Sequence, residues 1–245
     1  MTDYNMIAHT YREAKRLPIK QYSEGFTFFQ VLGSVQGSAV LDVACGDGYY
    51  AQAIKRQGAS RVMGVDRSPT MITYAQREEE AHPLGIEYVI GEAETMDRLG
   101  AFDLVTAVYL LVHAASRNQL VAMSQAIAKQ LQPGGRFVAL TINPQLVPDR
   151  LPRVEHYRSG VTLRGPLYEG APLDVTMLTA SGPLHLCDYY WSQAMYESVL
   201  HQAGFDGIIW HAMQVSPEGF ETCGSAYWQD YRNYPHIVVL EARYH

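Results

Sequence analysis

Val40-Leu41-Asp42-Val43-Ala44-Cys45-Gly46-Asp47-Gly48 decides how this 245-residue chain is read. Residues 39–43 form a short apolar strand. Two glycines follow within five residues, and a helical pattern then runs from 49 to 57 and closes at Gly58. A strand, a glycine turn and a helix open an α/β unit. In an open parallel sheet, ligands lie beyond the carboxyl ends of the strands. Gly46 and Gly48 therefore let the backbone approach a ligand at that edge.

Outward from this turn, strand and helix patterns alternate. Residues 61–65 form a second strand that ends in Asp66. Ser68-Pro69 supplies an N-cap and a proline at the first helical position, opening a helix to about residue 80. Residues 86–90 and 102–108 read as strands three and four. Residues 117–131 carry Leu120, Met123, Ile127 and Leu131 at helical spacing. Pro133-Gly134-Gly135 then turns the chain into a fifth strand, 136–142. Ahead of all this, residues 4–32 read as two helical pieces broken near Pro18. Beyond it, residues 143–191 are rich in Pro, Gly and Tyr and show no clear helix. A helix over 192–203 and strands over 207–214 and 236–243 close the chain, with a short helix expected at 225–233 in the long link between those strands. Alternation of this kind implies a parallel sheet.

Composition narrows the partners. A formal net charge of −6, with no cluster of Lys and Arg, argues against a nucleic-acid partner. No apolar run approaches the ~20 residues of a membrane span. The start, Met1-Thr2-Asp3-Tyr4-Asn5, lacks the apolar core of a signal peptide. Cys45, Cys187 and Cys223 form neither a paired framework nor a metal knuckle. A cytoplasmic protein, monomer or homodimer, with no metal and no membrane partner, is the expectation.

Gly46-x-Gly48-x-x-Ala51 also fits a dinucleotide fingerprint, so the charge of the loop must decide. A pyrophosphate needs backbone N–H groups and the positive end of a helix. Asp42 and Asp47 would oppose it. They suit a ligand carrying an ammonium and a sulfonium, as S-adenosylmethionine does, with Asp66 accepting from its ribose hydroxyls. The alternative is that Asp42 and Asp47 only satisfy donors in a tight turn. Tyr11-x-x-x-Lys15 superficially matches a reductase dyad, which keeps an NAD(P)-dependent oxidoreductase open, although the dyad precedes the glycine loop rather than following it. A non-catalytic binder of an adenosyl ligand is the third reading.

Residues 40–48 resemble motif I of class I S-adenosylmethionine-dependent methyltransferases, and Gly64-Val65-Asp66 their second acidic motif. Gly91-Glu92-Ala93 resembles the segment that reads the adenine. Phe102-Asp103-Leu104-Val105 and Leu131-Gln132-Pro133-Gly134-Gly135 resemble the fourth motif and the turn before strand five. Tyr4-x-x-Ile7-Ala8-x-x-Tyr11 resembles the lead-in of small-molecule members, and within the family the chain is similar to bacterial azapteridine (toxoflavin-type) N-methyltransferases. Glu92 departs from the more usual Asp, which keeps the charge and lengthens the reach.

The resemblance implies a seven-stranded, mostly parallel Rossmann-like sheet, helices on both faces and an antiparallel last strand. It implies one domain over 1–245, with a helical cap (1–36) and a β-rich, substrate-side insert (144–191). It sets Gly46 near the methionine part, Asp66 at the ribose, and Met71, Glu92 and Ala93 at the adenine; Asp42 and Asp47, from the charge of the loop, and Arg67 are further candidate cofactor contacts. Val108, Tyr109 and Tyr11 close the site.

Transfer to a small, aromatic or heterocyclic acceptor is an in-line displacement in which the protein mainly positions and desolvates. A base is needed only for a protonated nucleophile. His113 and Tyr109, just after strand four, are the candidates. Tyr22, His113, Tyr189 and Trp191 are the candidate acceptor contacts. Plain packing is the competing reading for Met71, Tyr11, Tyr22, His113 and the Cys187-Asp188-Tyr189-Tyr190-Trp191 cluster.

Overall fold

The structure, a computed structural model, describes residues 4–245, so the N-terminal Met1-Thr2-Asp3 lies outside it. Ten strands build two sheets. They are β1 (Ala39–Val43), β2 (Arg61–Asp66), β3 (Glu87–Ile90), β4 (Phe102–Val108), β5 (Leu131–Ile142), β6 (Ser159–Leu163), β7 (Ala171–Thr179), β8 (Gly182–Tyr190), β9 (Phe205–His211) and β10 (Ile237–Tyr244). The large sheet has the order β3-β2-β1-β4-β5-β10-β9. β1 to β5 run parallel, and β10 is antiparallel to both its neighbours.

The central strands are apolar along their length because both faces are covered. Val40, Val62, Leu104 and Val138 face one core, with Phe28, Leu32 and Ile54. Their neighbours Leu41, Met63, Val105 and Phe137 face the other, with Leu120, Ile127 and Val199. The helices are α1 (Tyr4–Ala14), α2 (Phe26–Leu32), α3 (Tyr49–Arg56), α4 (Pro69–Ala81), α5 (Arg117–Ala128), α6 (Val154–Tyr157), α7 (Gln193–Gln202), α8 (Pro217–Cys223) and α9 (Gln229–Asn233). A π-helical turn, Lys20–Gly25, leads into α2.

Several boundaries differ from the sequence reading. α5 ends at Ala128, and Leu131 already pairs with Phe102 in β5. Pro133-Gly134-Gly135 is a bulge inside that strand, since the next pairing is Leu104 with Arg136. β9 begins at Phe205 and stops at His211, not Gln214. Segment 143–191 contains the single-turn α6 besides its strands. α8 was missed, although Ser216-Pro217 repeats the Ser68-Pro69 start signal, with Ser216 Oγ accepting from Gly219 N at 3.0 Å.

The insert is a separate antiparallel sheet, β6-β7-β8, placed after β5. α1 is fastened between it and the large sheet. Arg12 Nε lies 3.0 Å from Asp47 Oδ2, and Lys15 pairs with the same carboxylate. Glu13 accepts from the backbone N–H and the hydroxyl of Ser181 in the β7–β8 turn.

Candidate active site

The chain runs from β1 outward to β3, then returns to lay β4 on the other side of β1. The reversal leaves a crevice at the carboxyl ends of β1 and β4, the usual ligand position of an open α/β sheet. A first cavity occupies it, enclosing about 1010 Å³ with its open mouth included. Val43, which ends β1, with Ala44 and Gly46 beyond it, Asp66, which ends β2, with Arg67, and Gly91 to Glu94 after β3 line one part. Val108, which ends β4, with Tyr109, Leu110 and His113 beyond it, lines another.

Asp66 organises the first part. Its Oδ2 accepts from Gly46 N and its Oδ1 from Ser68 N, each at 2.8 Å. One carboxylate thus joins the two loops that carry the cavity wall. Each oxygen keeps a lone pair, because a carboxylate has about four acceptor sites. Burial, partly offset by these bonds, raises its pKa above the ordinary carboxylate value. At Gly46, φ is 55° and, among the described residues, an added Cβ would meet only Lys15 Nζ, at 3.8 Å, so the backbone surface stays open to a ligand. Gly48 has another reason to be glycine: at φ 81° it packs under Tyr88, whose Cζ would lie 2.9 Å from an added Cβ.

Asp42 and Asp47 line neither this cavity nor the second one described below. Asp47 is neutralised by Arg12 and Lys15 of the N-terminal segment, so the loop does not present the free negative charge expected of it. Asp42 is 1% exposed and accepts from Thr106 Oγ1 at 2.7 Å. Its Oδ2 has no partner among the described residues. Burial pushes this carboxyl up to about 7, against the Thr106 bond and the nearby Lys15 charge. A raised folded-state pKa makes the folded chain the stronger proton binder. Its stabilising effect is complete below the ordinary Asp range and is lost as pH rises through about 7. Asp42→Asn should therefore be more stable than the parent at pH 8, by about 1–3 kcal/mol given ~1.4 kcal/mol per pKa unit. The gap should close near pH 4. Denaturant midpoints that differ equally at both pH values would refute this origin.

Met71 is buried and also forms cavity wall, so packing and lining are compatible there. Glu92 is half exposed and lies 3.7 Å from Arg67, with Ala93 beside it.

A second cavity adjoins the first and shares Tyr11, Tyr109 and His113 with it. Val175, Met177 and Leu186 of the insert and Ile142 and Ile237 of the large sheet make its apolar walls. Lys15, Lys20, Asp188 and His236 add polar groups. His113 Nδ1 approaches Asp188 Oδ1 to 3.0 Å, although Asp188 Oδ1 accepts no well-directed hydrogen bond among the described residues. Tyr109 holds a left-handed backbone, φ 61°, uncommon for an aromatic residue and a form of strain that clusters at functional sites. Its hydroxyl donates to Glu24 Oε2 and accepts from Lys20 Nζ at 3.0 Å. Burial and Glu24 push that phenol well above its usual pKa.

Tyr189 lines the first cavity, with Cys187. Two candidate acceptor contacts lie elsewhere. Tyr22 lines neither cavity; its backbone O accepts from Ser216 N and its side chain abuts Gly219 of α8. Trp191 is a buried anchor: its Nε1 donates to Ala114 O at 2.9 Å and its ring packs on Gly170. Lys20, Glu24, Asp188 and His236 were missed by the sequence reading. The i,i+4 spacing of Lys20 and Glu24 and the place of Asp188 in the aromatic cluster were the available signals. No group of three His, Cys, Asp or Glu among the described residues is arranged to hold a metal. No helix among them is long and apolar enough to cross a membrane.

Residues 40–135 match the family described as a methyltransferase domain. The chain is 30% identical over 172 residues to N-demethylindolmycin N-methyltransferase of Streptomyces griseus, covering 69% of this chain and 70% of that one. It is 33% identical over 111 residues to a ubiquinone biosynthesis O-methyltransferase of Coxiella burnetii, covering 45% of this chain and 46% of that one, so it spans about half the length of that relative. Among solved structures it superposes on the CcbJ methyltransferase of Streptomyces caelestis with TM-score 0.68, at 19% identity over 99% of this chain and 98% of the other. An S-adenosylmethionine-dependent methyltransferase from Mesorhizobium loti gives 0.66, at 18% identity over 94% and 99%. The chain belongs to the S-adenosylmethionine-dependent methyltransferases. The oxidoreductase alternative falls with that finding. Lys15 of its supposed dyad is engaged with Asp47.

Proposed function

We propose that the first cavity holds S-adenosylmethionine, and that the second takes a small, flat, aromatic or heterocyclic methyl acceptor. The observation that carries this reading is the shared wall: Tyr11, Tyr109 and His113 border both cavities. An acceptor in one would meet an electrophile in the other without crossing solvent. The residues fit the donor. Asp66 keeps lone pairs for two ribose hydroxyls, and Gly46 leaves its backbone bare. Glu92 and Ala93 border the adenine end, with Met71 and Arg67 beside them, and Val108 floors the site. The donor, when bound, supplies a methyl group made electrophilic by a sulfonium.

The rest falls to the chain's own side chains. The insert and α1 exclude water, which favours a displacement that spreads the sulfonium charge as it proceeds. The apolar walls hold the acceptor ring, and His113, backed by Asp188, takes a proton when the nucleophile carries one. The N-terminal cap (1–36) and the insert (144–191) act in this reading as covers of a single domain.

The test separates the chambers. Leu186 borders only the second cavity. Leu186→Trp should keep S-adenosylhomocysteine affinity within about threefold, at an overpacking cost of about 1–3 kcal/mol. It should abolish S-adenosylhomocysteine formation on every heteroaromatic N–H or O–H compound the parent methylates. Undiminished turnover, or lost product binding in a folded variant, would contradict the assignment.

A further inference from the structure

The second cavity has apolar walls, and one of the polar groups on its lining, Lys20, belongs to a buried ion pair. Lys20 opens the π-helical turn and Glu24 lies four residues on, so the turn sets both side chains against Tyr109. Lys20 Nζ is 2.8 Å from Glu24 Oε2, and their side chains are 13% and 0% exposed. Burying two charges costs desolvation that hydrocarbon would avoid, so the pair is weak evidence for stability. Single π turns occur frequently at functional sites.

An ammonium has three donors. In Lys20 one goes to Glu24 and one to Tyr109, and Lys20 itself lines the cavity. We propose that the third donor of Lys20 reads a neutral hydrogen-bond acceptor on the methyl acceptor, a carbonyl oxygen or ring nitrogen. This rests on the second cavity being the acceptor site.

Two observations specify a neutral group over an anion. Glu24 already balances Lys20, so an entering carboxylate meets attraction and repulsion from charges 2.8 Å apart. His236, on the same cavity, adds no cation, because burial and the Lys20 charge hold its pKa down at about 3. His113 and Asp188 also line this cavity beside its apolar walls, and Lys15, another cation on its lining, is paired with Asp47. Such a lining suits a flat lactam-like ring with an N–H or O–H for methylation and an unprotonated heteroatom to be read.

The experiment uses the full chain saturated with S-adenosylhomocysteine and three probes: 2-quinolone (N–H and carbonyl), indole (N–H alone) and indole-2-carboxylate (N–H and anion). Binding is followed by ligand-observed NMR and calorimetry. 2-Quinolone should bind at least about tenfold more tightly than either of the others. Lys20→Met alone would strand Glu24, so the informative variant is Lys20→Met with Glu24→Gln, in which the amide can still meet Tyr109. There the preference for 2-quinolone over indole should shrink to about twofold, with S-adenosylhomocysteine affinity unchanged. A preference that survives in the double variant, or a carboxylate that binds best to the parent, overturns the role of Lys20. Binding of no probe to the product-loaded parent overturns the acceptor-cavity reading itself, and this inference with it.

Discussion

Asp66→Asn should weaken S-adenosylhomocysteine binding at least about a hundredfold, and should also lower the stability of the ligand-free chain. The amide replaces one oxygen with an N–H₂ group. Both oxygens now accept a backbone N–H, from Ser68 and from Gly46. Whichever way the amide turns, donor faces donor, and a buried unsatisfied N–H costs about 1–3 kcal/mol. The lost charge also weakens bonds to the ribose hydroxyls, each worth about 1.5–3 kcal/mol. The cost of the unsatisfied N–H falls on the ligand-free fold; two ribose bonds account for up to about 3–6 kcal/mol of binding, at about 1.4 kcal/mol per factor of ten. Calorimetry with the product measures the first effect and denaturant unfolding the second. An affinity within threefold of the parent would remove Asp66 from the donor site. The structure thereby sharpens what the position of Asp66 at a strand end implied. It is a clasp between two loops as well as a candidate ligand contact, so its replacement is not silent in the fold.

The second large effect concerns His113. His113→Ala should lower kcat by about 10²–10⁴-fold on an acceptor whose nucleophile carries a proton, the usual contribution of a general base. S-adenosylhomocysteine affinity should stay unchanged. His113 sits where the two cavities meet, with Asp188 3.0 Å from Nδ1 and Nε2 on the other edge of the ring. The loose alignment of that contact is common for catalytic pairs before substrate binds. Asp188→Asn should cut kcat in the same direction and by less, since it orients the base without touching the substrate. Raising the pH, which lets the acceptor ionise in solution, should restore part of the His113→Ala rate. An unaltered kcat and pH profile in that variant would exclude His113 from proton removal.

The order of the elements was legible because the strands of the large sheet are local apolar runs punctuated by glycine, proline and cap residues. The candidate donor wall was legible for the same reason, since Gly46, Asp66 and Glu92 each lie at or within three residues of a strand end. What stayed hidden depends on contacts between distant residues. The charge of the glycine loop is cancelled from α1 and its C-terminal extension, 32 and 35 residues earlier, and nothing in residues 40–48 announces it. Asp42 sits on β1 at the loop but points to Thr106 of β4. In the insert, strand alternation could have divided the aromatic cluster. Cys187 and Tyr189 face the first cavity, Leu186 and Asp188 the second, and Trp191 lies past the end of β8. The π turn was invisible because residues 20–25 were read at ordinary helical period, which aims side chains differently.

The fastening of α1 bears on traffic. Arg12 and Lys15 grip the glycine loop, Glu13 grips the insert, and Tyr11 between these grips borders both chambers. A short helix held on both flanks covers both chambers at once. On the proposed function, departure of the methylated product and exchange of the spent donor would share that one cover. These grips include the Lys15–Asp47 pair, only 17% and 8% exposed, which salt screens weakly. At saturating concentrations of both substrates, replacing these few polar contacts should change the turnover ceiling.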